Sequence, residues 1–444
     1  MTRTADSRRP QARRQRRAMP CLLLALAVAA AGLAAAPARA ATMPEAVPGE
    51  IVVKLKATAA LPALLTRYRL TLAAQFGARP IYRLRVAAGA DVRQLLAALA
   101  LEPAVQLAEP NLIHRSPEAR KNQAWAIGEA SAYTAQWAPQ ALRWPLAHTR
   151  SRGTGVCVAV LDTGVDATHP TLAGRVLPGA DLVDGDLLPA EGAPTGAGYG
   201  HGTHVAGLVL AGAPQATILP LRVLDDEGAG NVWVLAEALL RAVDPDGNPA
   251  TRDGAQVINL SLGTLTRTRL LDAVGTLATC ATPEPGNRIE DQSDPGYGVD
   301  RQRCANGGGA IIVAAAGNDA SGSIREYPAA EGVYGLLSVT ASTPARRVAS
   351  FANSGNWIDV AAPGEGLTST LPGGLYATWS GTSMAAAVAS ASAALLRSAE
   401  PALTPRDSVR RLMRSAVLLC DGRTRQIDAA ATLGLGTAVP VACP

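Results

Sequence analysis

The chain of 444 residues contains few aromatic and few charged side chains. Aromatic residues make up 4% of the sequence and charged residues 17%, whereas hydrophobic residues reach 48%. A large core is therefore expected, and Ala, Val and Leu must fill it. The length predicts two or three structural units rather than one small domain. No internal repeat is apparent, which excludes a repeat array.

The excess of basic over acidic residues is confined to the first 40 residues of the chain. The formal net charge is +5 at pH 7. Residues 1–40 carry eight arginines and one aspartate, a net charge of +7, so the remainder has a net charge of −2. The basic pI therefore gives no support for nucleic-acid binding, and we expect no nucleic-acid partner.

Residues 1–40 have the three-part pattern of a secretory signal peptide. Six arginines between Arg8 and Arg17 precede an apolar run from Cys21 to Leu33, and Ala38-Arg39-Ala40 supplies small residues at the cleavage positions. A membrane anchor is the alternative, but the apolar run is shorter than the ~20 residues that a spanning helix needs. We predict an exported protein, periplasmic or extracellular, without a stable membrane anchor.

Five cysteines follow the leader, and none has the spacing of a zinc site. Disulfides persist in exported proteins. Cys280 and Cys304 bracket a polar loop, and Cys420 and Cys443 bracket the C-terminal tail. We predict these two pairs as disulfides. Cys157 lies in an apolar run and is predicted to be a buried free thiol.

Residues 48–115 have the pattern of a small α+β domain. Short apolar or alternating segments predict strands, and longer ones with helical periodicity predict helices on one face of an antiparallel sheet. The predicted strands are Glu50–Lys56, Ile81–Val86 and Val105–Glu109, and the predicted helices are Leu61–Leu72 and Asp91–Leu101, with Asp91 as N-cap. Residues 116–125 are polar and are predicted to form an exposed connector.

Residues 126–435 have a different pattern, typical of a doubly wound α/β domain with a mostly parallel sheet. Apolar runs without alternation indicate strands buried on both faces. These runs are Val156–Leu161, Val257–Leu262 and Ile311–Ala316, and the helical stretches between them include Val232–Ala242 and Arg267–Thr279. Residues 281–303 are rich in Pro, Gly, Asp and Arg and are predicted to be a surface insertion closed by the Cys280–Cys304 disulfide.

Three glycine-flanked motifs nominate the groups that acyl transfer requires. Asp162 ends a predicted buried strand, at the sheet edge where α/β folds carry their sites. His201 opens a helix after a glycine-rich approach. Ser383 opens a second, alanine-rich helix, where backbone N–H groups favour an oxyanion. The chain order Asp, His, Ser is that of one known type of serine-peptidase triad, and we predict these three residues as orienting carboxylate, base and nucleophile.

A fourth polar residue, Asn318, ends another predicted strand on the same edge. Its side-chain amide is predicted to complete an oxyanion hole with the backbone N–H of Ser383. Each residue also has a structural alternative: Asp162 and Asn318 as turn residues, Ser383 as an ordinary N-cap, and His201 with His204 as a metal pair.

The motifs together resemble those of the subtilisin-like serine peptidases, the subtilase family. The resemblance covers roughly residues 126–435. Its matching segments are Val158–Asp166, His169-Pro170, His201–Gly207, Asn259–Gly263, Ala315–Asn318, Ala361–Gly364 and Gly381–Ala386. It implies a subtilisin-like fold, a secreted serine endopeptidase acting on polypeptides, and Asp162, His201 and Ser383 as its triad.

The resemblance also implies further functions for parts of the chain. Ser261-Leu262-Gly263 and Ala316-Gly317 line the cleft, where substrate backbone pairs as an added strand. The 48–115 domain corresponds to an inhibitory propeptide, which acts as an intramolecular partner of the enzyme. Calcium is common in the family, but the sequence offers no ligand cluster, so no metal or other cofactor is assigned. We expect a monomer.

Two features of the sequence concern specificity and activity. Glu326 precedes Tyr327-Pro328, at the position that the resemblance assigns to the base of the pocket for the residue before the scissile bond. Asp319 follows Asn318, and two carboxylates there predict a preference for Arg or Lys, so that cleavage after Arg115 would suit the enzyme's own pocket. The alternative is that Glu326 is a solvated loop residue, which Arg325 beside it could neutralise. Ala387-Val388 departs from the family pattern after the serine, which leaves a catalytically impaired binding protein on the same fold as the alternative.

Overall fold

A computed structural model of the chain describes residues 44–123, 125–281, 296–438 and 443. The predicted signal peptide lies outside the described residues, as do residues 282–295 of the predicted insertion. None of the helices in the described part of the chain combines the length and the apolar character needed to traverse a bilayer.

The strands, numbered in chain order, are β1 (Ala46–Leu55), β2 (Thr71–Gln75), β3 (Ile81–Arg85), β4 (Val105–Arg115), β5 (Ala126–Gly128), β6 (Cys157–Asp162), β7 (Ala180–Asp181), β8 (Thr217–Arg222), β9 (Ala229–Asn231), β10 (Val257–Leu260), β11 (Ile311–Ala315), β12 (Leu336–Ser342), β13 (Val360–Pro363), β14 (Leu367–Leu371), β15 (Leu375–Trp379), β16 (Val417–Leu418) and β17 (Arg425–Gln426).

The helices are α1 (Leu61–Tyr68), α2 (Val92–Leu99), α3 (Pro117–Arg120), α4 (Ala130–Ala135), α5 (Ala138–Ala141), α6 (Trp144–Ala147), α7 (His201–Gly212), α8 (Val232–Val243), α9 (Arg269–Thr279), α10 (Tyr297–Ala305), α11 (Thr382–Ala399), α12 (Pro405–Arg414) and α13 (Ala429–Thr432), with a 3₁₀ turn at Thr58–Ala60.

A nine-stranded sheet forms the centre of the larger part of the chain. Its strand order is β16-β17-β13-β12-β11-β10-β6-β8-β7, and all neighbours are parallel except β16 and β17. Helices cover both faces, so alternate residues of one strand enter different cores. In β6, Val158 and Val160 pack with α7 and α11, whereas Ala159 and Leu161 pack with α8 and α9. The predicted doubly wound α/β fold is confirmed.

A second, antiparallel sheet is formed mainly by the N-terminal residues. Its order is β2-β3-β1-β4-β9, so β9 of the larger part forms its last strand. One face carries α1 and α2 over a separate core. The other face contacts α8, where the rings of Phe76 and Trp233 meet edge-on with centroids 5.6 Å apart. The predicted α+β arrangement with helices on one face is therefore present.

The structure corrects three details of the sequence-based description. The helix predicted for Leu61–Leu72 ends at Tyr68, because Arg69 adopts a left-handed backbone (φ +53°) and the chain then enters β2. The last strand of the N-terminal unit is longer than predicted and continues to Arg115, where it pairs with β9. Residues 116–125 do not form an exposed connector, since Pro117 and Glu118 are buried in the short helix α3.

Both predicted disulfides, Cys280–Cys304 and Cys420–Cys443, are present in the structure, and Cys157 is a buried free thiol. Within the predicted insertion, the described residues 297–305 form α10, whose Asp300 and Arg303 are buried. This end of the segment packs against the protein instead of lying on its surface.

Candidate active site

Asp162 and His201 meet at the carboxyl edge of the large sheet. Asp162 is the last residue of β6, and its Oδ1 accepts a hydrogen bond from the backbone N–H of Thr163 (2.8 Å). His201 is the first residue of α7, and Gly200 before it adopts the left-handed conformation (φ +80°) that turns the chain into the helix. Its Nδ1 lies 2.7 Å from Asp162 Oδ1, and both side chains are fully buried. The imidazole is thus oriented with Nε2 directed away from the aspartate.

Ser383 lies beside His201 but is separated from it by a carboxylate. Ser383 is the second residue of α11, and its Oγ donates to Glu118 Oε2 (2.5 Å). The same Glu118 oxygen lies 3.1 Å from His201 Nε2. The side chain of Glu118, from the segment predicted to be an exposed connector, therefore bridges the predicted base and nucleophile.

The second oxygen of Glu118 occupies the predicted oxyanion hole. Asn318 Nδ2 donates to Glu118 Oε1 (2.9 Å), and the backbone N–H of Ser383 points to the same oxygen at 3.4 Å. The Asn318 amide is held by Thr382, whose N–H and hydroxyl both donate to its Oδ1. A Cβ at Gly381 would come within 1.7 Å of Glu118 Oε1, so the carboxylate fills space that the glycine leaves open.

The charged forms of Glu118 and His201 stabilise each other. Burial alone would raise the pKa of the Glu118 carboxyl, but the hydrogen bond and positive charge of His201, with the donors Ser383 and Asn318, lower that pKa below its usual value. Burial opposes the charged form of His201, yet Asp162 and Glu118 together raise its pKa to about 10. With Glu118 in place, the charged form of His201 is favoured, and an imidazolium has no free lone pair to accept the proton of Ser383.

The predicted cleft residues follow the strand ends beside Ser383. Ser261 Oγ donates to the backbone carbonyl of Ser383 (3.0 Å), and Leu262 is buried in the core, so their side chains support the cleft from behind. Gly263 presents its backbone, which exchanges two hydrogen bonds of 2.9 Å with Arg115. On the other side, Ala316 is buried and the N–H of Gly317 donates to Thr382 Oγ1 (3.1 Å).

Glu326 lies between these two predicted cleft walls, where the family resemblance places the base of the specificity pocket. A Cβ on Gly263 would meet its Oε1 at 2.5 Å, and one on Gly317 would meet its Oε2 at 2.8 Å, so the two glycines border its carboxylate. Glu326 is fully buried, and both of its oxygens accept hydrogen bonds from the guanidinium of Arg120. Burial raises the pKa of Glu326, and the charge of Arg120 opposes this shift. The positive charge of Arg120 thus favours the ionised form of Glu326.

The partly buried carboxylate of Glu191, near the predicted triad, was missed by the sequence analysis. Glu191 accepts hydrogen bonds from the hydroxyl of Thr163 (2.8 Å), the hydroxyl and N–H of Thr203 (2.7 and 2.8 Å) and the N–H of Gly200 (3.1 Å). It thereby links the turn after Asp162 to the start of the His201 helix. Burial raises its pKa to about 7. The signal available in the sequence is an acidic residue directly before the glycine-rich approach to His201.

Glu118 and Arg120 were also missed, although the sequence carries a local signal for them. Ser116 followed by Pro117 is the pattern of an N-cap and first helical position. In the structure, Ser116 Oγ caps α3 by accepting from the N–H of Ala119 (3.2 Å). The capping pattern could have located this helix, but its contacts depend on residues that lie 83 to 265 positions away in the sequence.

The alternative of a metal pair at His201 and His204 finds no support in their partners. His204 Nε2 faces the carbonyl of Ala377 (3.1 Å) and its ring meets Trp379 edge-on, while His201 faces Asp162 and Glu118. Burial lowers the pKa of His204 to about 3. Each imidazole is therefore held by its own protein partners.

One acidic cluster in the described residues was tested as a calcium site. Asp244, Asp246 and Asp253 bring carboxylate oxygens within 4.8 Å of one another on a largely exposed loop. The Asp246 carboxylate already accepts hydrogen bonds from the N–H of Asn248 and the hydroxyl of Thr251. The cluster does not form an enclosed oxygen cage, and we assign no calcium to it.

Comparison with known proteins matches both parts of this chain. The model described as "Subtilase family" matches residues 153–436, and the model described as "Fervidolysin N-terminal prodomain" matches residues 33–111. The thermophilic serine proteinase of Bacillus sp. (strain AK1) is 35% identical over 319 residues, which cover 69% of this chain and 67% of that protein. Thermitase of Thermoactinomyces vulgaris is 36% identical over 274 residues, covering 59% and 82% of the two chains.

A solved structure resembles the chain over most of its length. The crystal structure of fervidolysin from Fervidobacterium pennivorans, described as a keratinolytic enzyme related to subtilisin, matches with a TM-score of 0.66 at 22% identity. The match covers 89% of this chain and 62% of fervidolysin, so this chain spans less than two thirds of that structure. At this level of identity the likeness concerns the fold.

Proposed function

Because the chain belongs to the subtilase family of serine endopeptidases, we propose that it hydrolyses peptide bonds with Ser383 as nucleophile, His201 as general base and Asp162 as orienting carboxylate. The observation that carries the proposal is the convergence of Ser383 Oγ, His201 Nε2 and Asn318 Nδ2 on one carboxylate. A carboxylate is the group that peptide hydrolysis leaves on its product, so it suits the place of a reacting carbonyl.

The mechanism follows from these positions once Glu118 has left the site. His201, paired with Asp162 alone, accepts the proton of Ser383 as its Oγ attacks the substrate carbonyl carbon. Asn318 Nδ2 and the N–H of Ser383 stabilise the negative charge on the carbonyl oxygen. His201 then gives its proton to the leaving amine, and water releases the acyl group from Ser383.

We further propose that the enzyme prefers Arg or Lys before the scissile bond. The support is the buried Glu326, which accepts both hydrogen bonds from the Arg120 guanidinium, with Asp319 as a second carboxylate 3.8 Å from Arg120. Arg325, the neighbouring cation in the sequence, is exposed. An uncharged side chain in this pocket would leave a buried carboxylate unpaired, which is costly.

We propose that the N-terminal unit is an inhibitory propeptide and that the protein is exported. The prodomain match and the occupation of the cleft by residues 115–120 support the first part. The pattern of residues 1–40 supports the second, as do the two disulfides. The proposed partners are polypeptide substrates and the chain's own propeptide, with the enzyme acting as a monomer.

The alternative, a catalytically impaired binding protein, rests on Ala387-Val388. Both residues are buried within α11, which continues without interruption from Thr382 to Ala399. An unbroken helix behind Ser383 supports altered packing without loss of the chemistry.

The test compares the wild-type chain with Ser383→Ala, each freed of residues 44–120 by the same treatment if it does not free itself. We expect the wild type to cleave arginyl and lysyl peptides and the variant to lose activity by a factor on the order of 10⁶, as in other serine-peptidase triads. Equal activity of the two would refute the assignment of Ser383. A preference for Leu or Phe before the scissile bond would refute the role of Glu326 alone.

A further inference from the structure

Residues 115–121 enter the cleft as a strand and then leave the path of the strand. Arg115 exchanges two backbone hydrogen bonds with Gly263, and the N–H of Ser116 donates to the carbonyl of Gly228 (3.0 Å). From Pro117 the chain turns into the four-residue helix α3. A helical turn does not present an extended peptide bond to Ser383, so the segment is bound without being aligned for cleavage.

Arg120 is the residue of this segment whose side chain fills the Glu326 pocket. Its guanidinium donates to both oxygens of Glu326 and to the carbonyl of Gly263 (3.1 Å). Arg115, which the sequence suggested as the cleavage position, pairs instead with Glu45 (2.7 Å), and about a third of its side chain is exposed. The side chain of Arg115 is therefore outside the pocket that Arg120 occupies.

The residues after Arg120 are also anchored at the site. Lys121 Nζ lies 2.5 Å from Asp319 Oδ1. Gln123 accepts a hydrogen bond from Asn318 Nδ2 through its side chain (2.8 Å) and one from Trp379 Nε1 through its backbone carbonyl (3.1 Å). The chain is thus fixed before and after the Arg120–Lys121 bond, and the side chains of Glu118 and Gln123 on either side of this bond reach Ser383 and Asn318.

The carboxylate of Glu118 opposes cleavage in two ways. It occupies the positions that the reacting carbonyl needs, on Asn318 and the N–H of Ser383. It also pairs with Nε2 of His201, the atom that must accept the proton of Ser383. A four-residue helix has little stability of its own, so these contacts hold the turn in place.

We propose that the Arg120–Lys121 bond is the processing site of the precursor and that Glu118 is the latch that delays its cleavage. The proposal rests on the proposed peptidase function and on its basic specificity. When α3 unwinds and the Glu118 carboxylate leaves, the Arg120 side chain stays in the Glu326 pocket while its carbonyl moves to Asn318.

The chemistry of this step is ordinary peptide hydrolysis. Ser383 Oγ forms an ester with the carbonyl carbon of Arg120 as its proton passes to His201. The bond to the nitrogen of Lys121 breaks, and that nitrogen takes the proton from His201. One water molecule then hydrolyses the ester, which leaves a carboxyl group on Arg120 and a new amino terminus on Lys121.

The experiment follows processing of the purified full chain in vitro by intact mass and by N-terminal sequencing. We expect one product beginning at Lys121 and a complementary fragment ending at Arg120. Arg120→Lys should retain this cut, because lysine also pairs with Glu326. Arg120→Ala should lose it or slow it at least about 100-fold, whereas Arg115→Ala should leave its position unchanged.

The latch is tested in the same assay by the rate of processing. Glu118→Ala should speed the appearance of the Lys121 terminus about tenfold or more, because it removes several hydrogen bonds to a charged group. Glu129→Ala, which changes an exposed glutamate beyond the turn, is the matched control and should process at the wild-type rate.

The outcomes separate this proposal from the proposed function. A mature terminus elsewhere, such as Ser116, or wild-type processing of Arg120→Ala, would overturn the processing site. Slower or unchanged processing of Glu118→Ala, in a chain that still cuts an external arginyl peptide, would overturn the latch. A wild-type chain that cuts neither itself nor any peptide after removal of residues 44–120 would instead contradict the peptidase function.

Discussion

The substitution Glu191→Gln tests whether a partly buried carboxylate beside the predicted triad makes stability depend on pH. Glu191 has four hydrogen-bond donors around it and no cation among its hydrogen-bond partners in the described residues. Its burial raises the pKa from an ordinary value of 4.5 to about 7. The folded state therefore holds a proton on Glu191 more tightly than the unfolded state does.

The sign and size of the effect follow from this difference. An acid with a raised pKa in the folded state contributes stability that is complete below the unfolded pKa and is lost as pH rises through the folded value. Between pH 4.5 and pH 7 the group should therefore destabilise the protein progressively. A shift from 4.5 to about 7 corresponds to about 3 kcal/mol. Glutamine has no proton to lose and should not show this dependence.

The assay is equilibrium unfolding in urea of the full chain carrying Ser383→Ala, which prevents self-digestion. The free energy of unfolding is measured at pH 4 and pH 8 for this parent chain and for the same chain carrying Glu191→Gln in addition. Other titrating groups, including Glu331 with its pKa of about 7, are common to both proteins and cancel in the difference. Glu129→Gln, at an exposed site, controls for the loss of one carboxylate.

We expect the stability advantage of the parent over Glu191→Gln to shrink by about 3 kcal/mol from pH 4 to pH 8. A difference that is constant within about 1 kcal/mol (roughly 0.7 pKa units) would refute the argument. An advantage that grows with pH would mean that the four donors outweigh burial and that the carboxylate is stabilised in its charged form.

Three further predictions concern the site and the propeptide. Asn318→Ala removes the side-chain amide and should lower kcat of the mature enzyme about 10²–10³-fold with little change in KM. A rise in KM as large as the fall in kcat would contradict an oxyanion role. Gly381→Ala places a methyl group where the Glu118 carboxylate lies. In a precursor with this substitution, the pKa of His201, measured by NMR, should be well below the value of about 10 expected with Glu118 bound. An unchanged pKa would contradict the contact between Glu118 and His201. Phe76→Ala removes the ring that meets Trp233. It should raise the inhibition constant of the separate propeptide for the mature enzyme roughly 10²-fold, or by about 3 kcal/mol. An unchanged inhibition constant would show that this contact does not hold the propeptide.

The elements that position the predicted triad could be foreseen from the sequence. Asp162 ends an apolar run without alternation, and Ser383 begins an alanine-rich run. Both patterns are typical of segments that are buried on all sides. Such segments can be recognised from their local composition, without knowledge of the fold. The structure has the corresponding strand and helix, β6 and α11. The contribution of these residues to catalysis remains a prediction.

The segment after Arg115 could not be foreseen in the same way. Its polar composition is typical of an exposed connector, and only the Ser116-Pro117 capping pattern indicated a helix. Glu118 is buried because its carboxylate finds Ser383, His201 and Asn318, which lie far away in the sequence. A charged side chain becomes a buried one only when such partners surround it, and single-sequence patterns do not report long-range pairing.

Glu191 illustrates the same limit within the peptidase domain. Glu191 directly precedes the glycine-rich approach to His201, and nothing in this local pattern indicates the partners of its carboxylate. Its donors come from the turn after Asp162 and from the start of α7. These two segments are brought together by the sheet, so the role of Glu191 depends on topology.

The two cores on either side of β1 have a consequence for the timing of activity. Ile51, Val53 and Leu55 pack with α1 and α2 in a core that belongs to the N-terminal unit alone, whereas Val52 packs toward α8 of the larger part. The unit can therefore remain folded after the chain is cut, with its apolar face still matched to α8. Under the proposed processing, each enzyme molecule is made together with one equivalent of the unit proposed as its inhibitor, and we expect the number of active molecules to depend on how fast that unit is destroyed.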